Sequence, residues 1–256
     1  MKRRHLGLVH AGEELSGKGP NDFERLARSC HIHSKDHLGV LAIVLALAER
    51  TVVACVAPSV KSELLSGLYV LREHLRMSST HQHSLMQIEQ ARARCFQAAP
   101  VIERTTVEAV RAARAPLGSS RPELAHRNAL DAHADHVVER YVRLAAHFAC
   151  AATCHALDTV QTPSVALEVL EDTRGARAYQ LTGLGAARQP ALRAAAIDQA
   201  SWEHARLSHD QSEASLTVQV FHEYLGGRYR NYADAEALQQ EQFIRWAISG
   251  RSILRP

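Results

Sequence analysis

The sequence predicts an all-α protein. Three observations lead there: strong helix formers (Ala, Leu, Arg, Glu, Gln) dominate from residue 21 onward, aromatic residues make up only 5% of the chain, and no segment alternates apolar and polar residues at the period of a strand. Residues 1–20, which begin "MKRRHLGLVH", are expected to be a flexible N-terminal segment ahead of a single helical domain over 21–256.

Proline and glycine divide that domain into long pieces. Asn21 or Asp22 can cap "FERLARSC" as a first helix. A second covers "KDHLGVLAIVLALAERTVVACVA" and stops before Pro58, because the residue preceding a proline is pushed out of the α region. Ser59 can cap a third, in which Leu64, Leu65, Leu68, Leu71 and Leu75 make an apolar stripe, and the pattern continues to a kink or break at Pro100. "APLGSSRP" is a turn near mid-chain. A long helix then runs from about Pro122, a first-turn type of proline, to Leu157. "QTPS" breaks the pattern, Ser164 can cap the next helix, Pro190 starts another, "GGRYRNY" interrupts it, and Ala233 to Ile253 closes the chain. Seven or eight helices thus fall into halves of about 21–118 and 119–256, which suit packed helical bundles.

A formal net charge of +3, spread over the whole length, argues against a nucleic-acid binder, which concentrates its basic residues on one face. The longest apolar run, Val40 to Ala48, is about half of what a bilayer crossing requires, and the N-terminus has no apolar signal core, so a cytoplasmic protein without membrane contact is expected. Five cysteines without CxxC spacing read as reduced core thiols.

The chemistry of interest lies with arginines. In "LALAERTVVACVA" an apolar helix contains Glu49 and Arg50, and arginine is almost never fully buried unless it is paired. Its partner is either Glu49 or another carboxylate, or an exchangeable anion gripped by the planar guanidinium fork. "EVLEDTRGARAYQLTGLG" repeats the situation: Arg174 can pair with Glu171 at i+3, while Arg177, about 60° round the helix, reaches elsewhere. Gly175 lowers helix propensity and permits close approach of another helix or ligand.

These pieces resemble the nitrate- and nitrite-sensing domain, a helical sensor module of bacterial transcription antiterminators, chemoreceptors and sensor kinases. The family's ERG-type motif is matched by "LALAERTVVACVAPS", which keeps Glu49, Arg50 and Ser59 with Thr51 in place of the glycine. Its KE-x-x-G-x-ERA motif is matched by "LEDTRGARA", which keeps Glu171, Arg177 and Ala178, with Gly175 shifted by one position and Ala176 in place of the second glutamate. Arg127 and Tyr141 match an arginine and tyrosine of the family's long helix, and "FIRWAISGRSIL" offers Ser249, Arg251 and Ile253 for its closing motif. The resemblance spans about residues 36 to 254. It implies two side-by-side four-helix bundles and a nitrate or nitrite ion held between Arg50 and Arg177 and closed by Arg251. It also implies a regulatory role with output through a protein partner, for which a homodimer is one arrangement. Arg174 is an extra candidate ligand. Glu49, Glu171 and Ser249 are expected to support the ligand arginines.

Two other readings compete. His126, His133, His136 and His147 share one helical face that Cys154 extends, which raises a metal site, but the second E-x-x-H helix that a helical di-iron centre needs is missing, so no metal or cofactor is expected. A ligand-free scaffold or adaptor is the other, presenting Tyr224, Tyr229 and Tyr232 beside Arg228 and Arg230 to another protein. No nucleophile elbow, P-loop or dinucleotide fingerprint appears, and no enzymatic activity is expected.

Overall fold

The computed structural model describes residues 22–53, 58–77, 84–98, 125–188 and 213–249, with residues 53, 58, 125–138, 184, 186–188 and 213–224 described by their backbone alone. All regular structure among these residues is helical: α1 (Asp22–Ser29), α2 (Lys35–Val53), α3 (Pro58–Met77), α4 (84–98), α5 (Ala125–Asp158), a 3₁₀ turn (Pro163–Val165), α6 (Ala166–Arg188) and α7 (Glu213–Ile248). No helix among the described residues is long and apolar enough to cross a membrane. The N-terminal segment 1–20, the turn around "APLGSSRP", Cys55, Pro100, Pro122 and Pro190 lie outside the described residues.

Local chemistry explains several helix ends. Asp22 and Glu24 sit in the first turn of α1 and Arg28 in its last, which suits the helix dipole. Before α2 the chain passes through His33, whose φ of 75° is left-handed, and Ser34 then accepts a hydrogen bond from the His37 backbone N–H at 3.0 Å through its Oγ, capping the helix. The α5–α6 connection is a tight hairpin corner: Val160 N–H donates to the Leu157 carbonyl at 3.2 Å and Gln161 N–H to that of Asp158 at 3.0 Å. Ser164 does not cap α6 as the sequence suggested. It falls inside the 3₁₀ turn, and α6 begins at Ala166.

Burial follows the apolar pattern with two departures. Eight of the nine residues from Val40 to Ala48 are buried, too many for one face of a surface helix, and only Ala46 interrupts the run. The helix is enclosed because α1, α3, α5, α6 and α7 all pack on it. On α3, Leu64, Leu68 and Leu71 are buried and Leu75 packs against the core, while Leu65, one residue round from Leu64, is exposed; the inward stripe is i, i+4, i+7, i+11. The second departure is at Gly226 and Gly227. The expected interruption there does not occur, and α7 runs through them for 36 residues. Glycine weakens a helix by about 1 kcal/mol relative to Ala, an amount outweighed by the buried Leu225 and by Tyr229, which packs on α6.

One apolar core links all seven helices, from Phe23 in α1 to Ile244 in α7. Close helix approach is secured by glycines. A Cβ on Gly67 of α3 would stand 2.6 Å from Cys95 Sγ of α4, and one on Gly175 of α6 would stand 3.0 Å from the Phe148 ring of α5. Gly175 therefore permits the helix contact that its place in the sequence suggested. Cys95 and Cys154 are reduced and buried; burial pushes their thiols up to about 12 and about 11, which leaves them unreactive.

Candidate anion site

The last turn of α2, the middle of α6 and the second half of α7 meet at one polar cluster inside an otherwise apolar structure. α2 delivers Arg50, α6 delivers Arg177, and α7 delivers Glu236, Gln239 and Gln240. Arg50 Nη2 donates to Glu236 Oε2 at 3.2 Å and to Gln239 Oε1 at 2.8 Å. Arg177 Nε lies 3.8 Å from the same Glu236 oxygen, and its Nη1 donates to Gln180 Oε1 at 3.1 Å. Gln240 Nε2 donates to the Leu170 carbonyl at 3.3 Å, which ties α7 to α6 beside the cluster. Two guanidinium groups from opposite halves of the chain thus share one carboxylate, leaving the cluster with a formal charge of +1.

The carboxylate is the most enclosed member. Its side chain is 4% exposed, against 36% for Arg50 and 26% for Arg177. Burial raises the Glu236 pKa above the ordinary range, and Arg50 and then Arg177 pull it back down. The hydrogen bonding around it is incomplete. Among the described residues, four buried side-chain polar atoms lack a hydrogen-bond partner, and three of them are Arg177 Nε, Glu236 Oε1 and Thr173 Oγ1, one turn before Arg177. Thr173 departs from local habit: Thr51, Thr153, Thr159 and Thr182 each donate to the carbonyl four residues back. Buried polar atoms without a protein partner are uncommon and call for a specific explanation.

The other expected site residues are elsewhere. Glu49 pairs with Arg72 of α3, not with Arg50; neighbours at i and i+1 on a helix point about 100° apart. Arg174 is exposed, its charge acting on Tyr229, and no ion pair joins it to the equally exposed Glu171 among the described residues. Ser249 is exposed, its Oγ donating to the Trp246 carbonyl at 2.8 Å, and it stands thirteen residues beyond Glu236, about 20 Å along the helix. None of these four belongs to the cluster. Arg251 and Ile253 lie outside the described residues, as do the side chains of Arg127, His126, His133 and His136. Among the described residues no group of three metal-ligating side chains is placed to hold an ion. His147 is half-buried, and Cys154 Sγ is directed to the Arg92 carbonyl at 4.0 Å.

Beside the cluster the three helices α5, α6 and α7 are joined by aromatic rings. Tyr179 meets Tyr141 edge-on at 5.4 Å, stacks with Phe148 at 5.5 Å, and lies 4.4 Å from Tyr229. Tyr229, offered by the sequence as an interface residue, packs inward instead, and burial pushes its hydroxyl up to about 12. Tyr224's side chain lies outside the description.

Glu236 is the member that the sequence reading did not identify. A signal was present: Glu236, Gln240 and Ile244 recur at i, i+4 and i+8 and are all buried, so two polar residues occupy the core-facing stripe of α7. No protein-family model, curated protein or solved structure matches this chain.

Proposed function

We propose that this chain is a sensor-like binding module for a small planar oxyanion, nitrate or nitrite, and not an enzyme. The observation that carries this reading is the meeting of Arg50 and Arg177, from distant segments, at a partly buried cluster of formal charge +1 in which Arg177 Nε makes no hydrogen bond. Nitrate is planar and weakly hydrated, and guanidinium forks offer paired N–H donors to its edges. Arg50 is the more open of the two arginines and provides the entrance. Arg251, closing the site from the end of the chain, belongs to the same proposal.

The resemblance of the Glu49–Ser59 and Glu171–Ala178 stretches to the nitrate- and nitrite-sensing domain supports the wider reading. It comprises two side-by-side four-helix bundles with halves of about 21–118 and 119–256, and a cytoplasmic role in bacterial signal transduction or gene regulation. Occupancy would favour one helix arrangement over another, read out by a protein partner or a second copy of the chain.

A second reading has its own observation. Glu236 already supplies a carboxylate to both arginines, as a ligand-free helical scaffold with an internal ion pair would require. Thermal melts in nitrate, nitrite and chloride at equal ionic strength separate the two. The sensor shows a rise in Tm with nitrate or nitrite beyond that with chloride, because a ligand that prefers the native state stabilises it, and Arg177→Ala abolishes the difference. Equal response to all three salts marks the scaffold.

A further inference from the structure

We propose that Glu236 is a proton-linked occupant of the anion site, so that nitrate enters only together with a proton taken up on the Glu236 carboxyl. This inference rests on the nitrate reading above and states how that site is regulated.

Geometry sets the requirement. Glu236 Oε2 is held 3.2 Å from Arg50 Nη2 and 3.8 Å from Arg177 Nε, so an anion gripped by the same two groups would stand against the carboxylate. The two guanidinium charges balance a carboxylate and a nitrate in sum, but two negative groups pressed together on the same donors still repel at contact, and a proton on one of them removes that repulsion. The arginines cannot change their charge at physiological pH, and nitrate is the anion of a strong acid. The proton therefore goes to Glu236.

Hydrogen bonding asks for the same event. Glu236 Oε1 is a buried acceptor without a partner. Nitrate has three acceptor oxygens and no donor, so beside an ionised carboxylate it would leave Oε1 unsatisfied; once protonated, the carboxyl becomes a donor that the nitrate oxygen can accept. The charges acting on Glu236 are those of Arg50 from α2 and Arg177 from α6, both of which favour the ionised form. On α7 itself the nearest polar neighbours, Gln239 and Gln240, are neutral, with the Gln240 side chain close enough to favour the ionised form as a hydrogen-bond donor, and α1 and α5, which also pack on α7, add no charge acting on Glu236 among the described residues. Burial of the carboxyl opposes both arginines and raises its pKa. Bringing in one more negative charge tips the balance toward the acid.

The test is calorimetric titration of the full chain with sodium nitrate between about pH 5.5 and 8.5 at constant ionic strength, in two buffers of different ionisation enthalpy. Wild-type protein is expected to take up about one proton per nitrate, with affinity falling about tenfold per pH unit on the alkaline side. Glu236→Gln, the neutral isostere of the acid, is expected to bind nitrate with a flat pH profile and no proton uptake, and more tightly than wild type at pH 8. Binding by the wild type with no proton uptake and no pH dependence overturns the proton linkage and leaves the nitrate reading standing. Absence of a nitrate response in wild type and Glu236→Gln at every pH overturns the nitrate reading, and this inference with it. If circular dichroism shows Glu236→Gln unfolded, the wild-type proton count decides alone.

Discussion

Within α2, two stretches bury different chemistry. From Val40 to Ala48 the helix is enclosed by apolar side chains, with Val40, Leu41, Val44, Leu47 and Ala48 at most 0% exposed and nothing charged among them. Two residues later Arg50 leaves the same helix for Glu236, which shares its carboxylate with Arg177. The first stretch gains free energy from the area it removes from water. The second gives up hydration of a carboxylate that neither arginine fully repays, since Glu236 still sits above its ordinary pKa. Charges kept where leucine would pack are poor stabilisers.

The largest expected effect breaks the apolar stretch. Leu47→Ala removes a fully buried side chain from the most enclosed part of the molecule and is expected to lower unfolding free energy by about 2–5 kcal/mol in urea melts. The polar stretch should answer differently according to how it is altered. Glu236→Ala strands two guanidinium groups and is expected to destabilise, by about 3 kcal/mol or less, since Arg50 and Arg177 keep part of their contact with water. Arg50→Met, Arg177→Met and Glu236→Leu together replace the whole cluster by apolar groups, and stability equal to or above the parent is expected. A large loss in the triple variant would show that the cluster is retained for the fold after all.

The pH profile sharpens the comparison, because the apolar region contains its own titratable group. His37 is 4% exposed, and its Nε2 meets the Val160 carbonyl at 3.2 Å, so the neutral ring carries its proton there while Nδ1 has no partner. Burial lowers its pKa first, and His74 and His33 lower it further, against the opposing pull of the Val160 carbonyl; burial also lowers that of His74. A histidine with a depressed folded pKa contributes stability that is present above the unfolded value of about 6.5 and is lost as pH falls toward the folded value. His155 behaves in the opposite sense. Its hydrogen bond to Asp172 at 2.7 Å raises its pKa more than burial lowers it, so its contribution is present below about pH 6.5 and is lost as pH rises through the raised value. Urea melts from pH 5 to 8 should show wild-type stability declining on both sides, and His155→Gln should remove the alkaline decline while leaving the acid one.

Much of the fold was legible because it depends on local signals. The all-helical class follows from propensity, the enclosure of α2 from an apolar run too continuous for one face, and the start of α1 from the capping residues Asn21 and Asp22. Convergence of Arg50 and Arg177 was implied only by the resemblance of two motifs to a sensing domain, since the residues themselves left an internal ion pair open for each arginine. Their shared partner was not implied, because the choice among distant carboxylates is made by which faces of α2, α6 and α7 come together, and no local pattern encodes that. Glu49, adjacent in sequence, points to α3 and Arg72 instead. The polar positions Glu236 and Gln240 in the buried stripe of α7 were the only trace, and the two glycines upstream drew attention to a break that α7 does not make.

Those glycines give the smallest of the expected effects, and one of opposite sign to the core substitution. Gly226 lies inside a continuous helix, its φ is not left-handed, and a Cβ built on it meets nothing within 4 Å. Nothing in the folded state therefore resists an alanine there. The unfolded chain, by contrast, loses conformational freedom when glycine is replaced, so Gly226→Ala should stabilise by about 0.5–1 kcal/mol. Gly175→Ala makes the control, because the same methyl group would meet the Phe148 ring at 3.0 Å and must displace it. If thermal melts show a gain for Gly226→Ala and none for Gly175→Ala, the two glycines differ as the packing requires: one marks helix contact, and the other is an interruption that tertiary burial of Leu225 and Tyr229 has overridden. A loss at Gly226 would mean that α7 needs to bend there, and the continuous helix carrying Glu236 to the two arginines would have to be redrawn.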